Sequence, residues 1–201
     1  MGKVITFGLI SQSHNALYLH IPINTKSALL THLAPYAALN KIELLPTHDL
    51  NSVGLLSEQP LHLDTPFEAG PLAQDLHLCC LSQAPFIYLL YGPKEPLDLW
   101  LEHQDAHPMI EEVWNSALIQ AQWPIIEANV CSQFTPNMLA LADTQAVSMQ
   151  KGCYLGQEII ARTHHLGKAK KTLAVYYCHD FKGELPSPGS SLDDQAGQQR
   201  S

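Results

Sequence analysis

Hydrophobic and polar positions alternate in blocks from the start of the chain. Val4 to Ile10 is apolar and rich in β-formers, Ser11–Asn15 has turn composition, and Ala16 to Ile21 is apolar again, which predicts a hairpin. After Pro22, Asn24 or Thr25 is placed to cap a helix with apolar face Leu29, Leu30, Leu33 and Ala37, which Pro35 is expected to kink or shorten. Lys41 to Leu45 reads as a strand. A second strand–strand–helix passage follows in Leu76–Leu81, Phe86–Tyr91 and Pro96–His103, the last carrying Leu97, Trp100 and Leu101. Two such passages predict an α+β fold of mainly antiparallel sheet with helices packed on one face.

Residues 46–75 read as irregular, because Pro46, Pro60, Pro66 and Pro71 interrupt any long element. A clear helical period runs over residues 108–122, where Ile110, Val113, Trp114, Ala117, Leu118 and Ala121 form one stripe. Pro108 suits its first turn, Glu111 and Glu112 suit its positive end, and Pro124 stops it. From Lys182 onward the Gly/Pro/Ser/Asp/Gln composition predicts a disordered tail.

Composition narrows the class. A chain of 201 residues, 46% hydrophobic and only 15% charged, can bury a core as one domain or two small ones and is no acidic disordered tail. No apolar run approaches the ~20 residues of a membrane span, and the opening Met1-Gly2-Lys3-Val4 lacks a signal-peptide core. The five cysteines (Cys79, Cys80, Cys131, Cys153, Cys178) form no CxxC pair, so neither a disulfide scaffold nor a cysteine-rich zinc module is expected. The expectation is a soluble protein of a reducing cytoplasm. Cys79 and Cys80 are adjacent in a strand pattern and point to opposite faces, which favours packing over shared metal binding.

The net charge of −8 is uneven. Residues 1–150 carry 4 Lys/Arg against 14 Asp/Glu, whereas Lys151, Arg162, Lys168, Lys170 and Lys171 face only Glu158 in residues 151–171. One short basic segment on an acidic body points to a local anionic ligand or to a solvated loop, and not to a broad nucleic-acid face.

That segment carries the chemistry. In Lys151-Gly152-Cys153-Tyr154-Leu155-Gly156-Gln157-Glu158-Ile159-Ile160-Ala161-Arg162, two glycines bracket a cysteine and a tyrosine, and a helical run starts at about Gln157. Glycine permits positive φ and close backbone approach. A cysteine beside a lysine and ahead of a helix N-terminus sits in a field that favours thiolate. The same cysteine also suits a small hydrophobe buried at a tight turn.

Lys-Gly-Cys-Tyr-x-Gly-Gln-Glu resembles the signature of the YgfZ family, folate-binding proteins of iron–sulfur maintenance and tRNA modification related to the aminomethyltransferase (T-protein) of glycine cleavage. The likeness continues through Ile159–Arg162, the downstream Leu166-Gly167-Lys168-Ala169-Lys170-Lys171 and the upstream Gln133-Phe134-Thr135-Pro136-Asn137. It implies a T-protein-like folate-binding fold over residues 1–178, followed by a polar tail at 179–201 in place of a C-terminal barrel. It implies Cys153 and Lys151 as the reactive residues. For a folate or tetrahydrofolate site it implies Trp114, Gln120, Tyr154, Gly152, Gly156 and Arg162, with no metal ligand. Trp114 equally suits a core position on its helix. Iron–sulfur enzymes or their assembly proteins are the implied partners, and Arg162, Lys168, Lys170 and Lys171 would attract folate carboxylates or an RNA phosphate.

Departures from the family pattern are informative too. Where the family reads Glu-Ala-Gly-x-Pro, this chain has Gln120-Ala121-Gln122-Trp123-Pro124. An amide replaces a pterin-bonding carboxylate, and the lost glycine implies a different turn or crowding. The resemblance also begins inside the family's domain, so the chain reads as shortened at both ends. Other readings are a tetrahydrofolate-dependent aminomethyltransferase, a cysteine hydrolase using His164 or His165, or a non-catalytic relic. The first lacks an acid anywhere from Val4 to Ile23, where the transferases carry one. An accessory role is therefore expected in preference to turnover.

Overall fold

The computed structural model describes residues 2–13, 16–63, 65–73, 75–141, 144, 146–148, 150–154, 156–166, 173–177, 186–187, 189–190, 192–193 and 199–200. The fold is α+β with antiparallel sheets. It divides into two compact units, Met1–Pro35 with Ile126–Ser201, and Tyr36–Ile125. None of the helices among the described residues is long and apolar enough to cross a membrane.

In the first unit, β1 (Leu9–Ser13) and β2 (Ala16–His20) pair as an antiparallel hairpin. The first strand starts later than the apolar run suggests and continues through residues expected to turn. Helix α1 (Lys26–Leu39) follows, with Thr25 at its entry fully buried and bonded to the Pro22 carbonyl at 2.8 Å. Pro35 does not shorten this helix. It removes the N–H that would bond Thr31, whose residue is exposed, so water can take that carbonyl. Ile126, Val130, Leu139 and Leu141 form this unit's core with Val4, Phe7, Phe134 and Val147 packed against it. The Val4 backbone bonds both neighbours of Gln133, donating to Phe134 O and accepting from Ser132 N, each at 2.8 Å.

The second unit is a four-stranded antiparallel sheet in the order β3 (Asn51–Ser57), β6 (Phe86–Gly92), β5 (Leu76–Gln83), β4 (Ala69–Ala73). Strands β3 and β4 fall in the stretch expected to be irregular. Both are edge strands, where the missing N–H of Pro71 is tolerated, and the ladder slips between Pro71 and Ala73. Register puts Val53, Leu55, Leu76, Leu78, Cys80, Tyr88 and Leu90 on one face, where α2 (Lys94–His103) adds Leu97 and Trp100. Helix α3 (Glu111–Gln120) meets β3 on the opposite face. Helices thus cover both faces of this sheet, not one, and the central strands β5 and β6 are buried almost continuously. Cys79 and Cys80 both pack inside, at 4% and 0% exposure.

Two further expectations are corrected here. Helix α3 is shorter than residues 108–122, starting after Pro108, and its Ile110 and Val113 are 65% and 47% exposed. Lys41–Leu45 forms no strand, because the Lys41 and Ile42 amides are spent closing α1 on Ala38 O and Ala37 O. Of the tail, two two-residue strands are described, β7 (Leu192–Asp193) pairing with β8 (Gln199–Arg200).

Candidate functional site

Helix α4 (Gln157–Leu166) begins where the sequence places it. Gly156 enters it at φ +87°, a left-handed backbone that glycine takes without strain. A Cβ there would lie 3.7 Å from the Gly2 Cα. The Gln157 amide donates to Tyr154 O at 3.1 Å, and its side-chain oxygen accepts from the Tyr154 amide at 3.4 Å. The turn is thereby fixed at both ends of the Tyr154–Gln157 step. Glu158 lies in the first turn, where its charge complements the helix dipole. Ile160 anchors the helix inward at 7% exposure.

This turn presents Cys153 to solvent. The thiol is exposed and free, not buried as a small hydrophobe. Gly152 beside it has open space around its Cα, with no heavy atom within 4 Å of a built Cβ. Lys151 holds its ammonium 4.6 Å from the centre of the Tyr154 ring, a cation–π contact. The Tyr154 hydroxyl is buried and has no hydrogen-bond partner among the described residues. Arg162 is exposed on α4. Lys151, Gly152, Cys153, Tyr154 and Gly156 therefore form one local constellation. It offers an accessible sulfur nucleophile, a neighbouring cation and little steric cover. The side chains of His164 and His165 lie outside the described residues, as do Lys168, Lys170, Lys171 and Cys178.

Thr6 and Phe7, in the acid-free stretch from Val4 to Ile23, have structural roles. Thr6 Oγ1 is 2.7 Å from Thr25 Oγ1, and Phe7 packs on the core. In the upstream stretch Gln133–Asn137, Phe134 is also core, Lys3 Nζ donates to Gln133 O at 2.6 Å, and Asn137 Oδ1 is buried without a partner among the described residues.

Trp114 and Gln120 belong to the second unit. The Trp114 indole lies over Gly54 of β3, so closely that a Cβ at Gly54 would meet it at 2.5 Å. One face of the ring is therefore committed to packing. Gln120 instead lines an open groove of about 400 Å³ with Leu56, Pro85, Glu112, Val113, Ser116 and Ala117. Glu112, Ser116 and Gln120 recur every four residues, so one stripe of α3 supplies a carboxylate, a hydroxyl and an amide beside an apolar wall. The sequence marks Glu112 only as a helix-start residue and does not mark Ser116, although their i, i+4, i+8 spacing with Gln120 is visible there. The groove is open to solvent, not enclosed, with a mainly apolar wall and one polar stripe. Its polar stripe suits the hydrogen-bonding edge of a flat heterocycle.

Gln122 stands at φ +56° where the family has glycine. The turn is thus the one glycine would make. Gln122 N bonds Ile119 O at 2.9 Å and Trp123 N bonds Leu118 O at 2.8 Å. Beyond it, the Trp123 ring stacks on Phe67 at 5.8 Å.

No family model matches the chain. Among curated proteins it is 29% identical over 194 residues to the tRNA-modifying protein YgfZ of Colwellia psychrerythraea, covering 92% of this chain and 59% of that relative. It is 25% identical over 186 residues to the proteins of the same name from Yersinia pseudotuberculosis and Yersinia pestis, covering 84% of this chain and 54% of theirs. The chain thus spans little more than half the length of these relatives.

Proposed function

Because this chain belongs to the YgfZ family, we propose that it serves tRNA modification as a folate-binding accessory protein that supports iron–sulfur enzymes. The observation that carries this reading is the exposed Cys153, free and framed by Lys151, Gly152 and Gly156 at the entry to α4. An accessible thiol is what a redox or cluster-proximal role requires, since sulfur must reach its partner to react or to bind metal. Helix α4 and its bonds to Tyr154 hold the sulfur in place without covering it.

The α3 groove supports the folate part of the reading. Gln120 would donate to and accept from a pterin edge, Ser116 adds a hydroxyl, and Glu112 supplies a carboxylate on the stripe from which position 120 has lost one. Leu56, Pro85 and Ala117 would give one side of the ring an apolar wall. A bound reduced folate supplies a pteridine able to carry one-carbon units. The roles of Thr6 and Phe7 argue against a transferase, because general acid–base work there has no titratable group.

The test has two arms. Folinic acid is expected to bind the purified chain, and Gln120→Leu to weaken binding about tenfold, the loss of roughly one hydrogen-bonded contact. In cells lacking their own relative, wild type is expected to restore the modified-nucleoside profile of tRNA, read by mass spectrometry, and Cys153→Ser to fail. Absence of binding at high micromolar folinic acid overturns the folate reading. Full rescue by Cys153→Ser overturns the role of the thiol.

A further inference from the structure

Residues 2–4 tie two separate parts of the first unit together. The Val4 amide donates to Phe134 O and its carbonyl accepts from Ser132 N, while its side chain packs on the core around Ile126 and Val130. Lys3 Nζ adds a bond to Gln133 O. Gly2 then runs against the entry of α4, where a Cβ on Gly156 would lie 3.7 Å from the Gly2 Cα. The two glycines meet with left-handed backbones, Gly2 at φ +80° and Gly156 at φ +87°. A Cβ on Gly2 would also press on Ile159 Cδ1 at 3.2 Å. Ile159 is 43% exposed and its tip can yield, so the backbone of Gly2 is the stricter constraint. The bonds between Tyr154 and Gln157 fix the shape of the Cys153 turn but not its place in the unit. Among the described residues no strand or other helix packs broadly on α4. Its first turn is placed by Ile160, which is buried, and by Gly156 and Ile159 against Gly2.

We propose that Gly2 is a positioning residue for Cys153: residues 2–4 form a strap that holds the first turn of α4, and with it the thiol, at a fixed place relative to Ser132–Phe134. This rests on the reading above that the Cys153 thiol is the working group. A reacting atom displaced by about 1 Å can lose roughly a hundredfold in rate, so an exposed sulfur needs a fixed base as well as access. An L side chain at position 2 either strains the left-handed backbone or leaves it. That shifts the local equilibrium towards release of the strap by roughly five- to thirtyfold.

The test uses the whole chain with Cys131→Ser and Cys178→Ser, so that a methanethiosulfonate nitroxide labels Cys153 and spares the buried Cys79 and Cys80. In native buffer, Gly2→Val is expected to raise the mobile fraction of the nitroxide spectrum at least about fivefold. Gly2→Ala, the milder change, moves it in the same direction and serves if Gly2→Val does not fold. Ile126→Val, a small cavity in the same unit's core, is the control for lost stability: it lowers the urea midpoint and leaves the native spectrum unchanged. In the cells of the rescue assay, Gly2→Val at equal protein level is expected to restore at least about twofold less modified nucleoside than wild type. An unchanged spectrum in the Gly2 variants, an equal change in Ile126→Val, or undiminished rescue by Gly2→Val overturns the positioning role, even where Cys153→Ser fails in cells. Full rescue by Cys153→Ser instead overturns the reading beneath it, and is told apart because the spectrum of the labelled chain does not depend on that result.

Discussion

Cys153 and Cys79 share a functional group but not an environment. Cys153 stands in solvent at the entry to α4, whereas Cys79 is 4% exposed next to the fully buried Cys80. Burial, and secondarily the neighbouring Cys80, pushes the Cys79 thiol up to about 11. It therefore keeps its proton throughout the neutral range and is unreactive on two counts, access and ionisation. In native buffer near pH 8, iodoacetamide is expected to label Cys153 and to spare Cys79 and Cys80 until denaturant is added. Peptide mass spectrometry reads the order directly, and native labelling of Cys80 would contradict its placement in the core. The Lys-Gly-Cys-Tyr run made Cys153 legible as a candidate in the sequence. Its exposure was not legible, because the bonds that fix the turn are made by Gln157 and Gly156 and say nothing of the sulfur.

Helices α1, α2 and α3 end alike. Each closes with a left-handed residue, Lys41, Asp105 or Gln122, followed by an amide that reaches back five residues: Ile42 to Ala37, Ala106 to Leu101, Trp123 to Leu118. Glycine usually occupies that position, since a side chain there costs roughly 1–2 kcal/mol. Lys41→Gly and Gln122→Gly are expected to stabilise the chain by about 0.5–1 kcal/mol each, after the added freedom of the unfolded chain is offset. Asp105→Gly should gain less, because aspartate tolerates this backbone better. Urea unfolding checks all three, and destabilisation by Gln122→Gly would show that its side chain holds something glycine cannot. The same feature explains what sequence reading missed. Periodicity located α2, α3 and the central strands β5 and β6, whose apolar runs are dense. It misplaced boundaries where no glycine marked a stop, and it missed β3 and β4 because Gly54 and Pro71 are permitted only by edge and packing context. Nor did the pattern show that α2 and α3 take opposite faces, which follows from strand register and not from composition.

At the scale of the molecule, the candidate residues are divided between two units. Cys153, Lys151, Tyr154 and Arg162 belong to the first, and Trp114, Gln120 and the groove belong to the second. In the first, burial holds the His20 imidazole below its ordinary 6.5. As pH falls through 6.5, the unfolded chain binds the proton before the folded one does. Stability thus rises with pH across the window between the folded value and 6.5, and is lost on acidification through it. Unfolding of wild type is expected to be easier at about pH 5 than at about pH 8, with His20→Gln showing a shallower slope. An unchanged slope in the variant would remove His20 from that dependence.

The ring of Trp114 resting on the bare backbone of Gly54 makes that indole an optical gauge of the seam between α3 and β3. Anything that pries the helix from the strand wets the ring and reddens its emission. A heterocycle settling in the neighbouring groove would dim the emission and leave its colour alone. With Trp100 and Trp123 replaced by Phe, so that Trp114 alone emits, intensity and wavelength separate occupancy from loosening, and Gly54→Ala, which forces a methyl group under the ring, should produce the red shift with no ligand present.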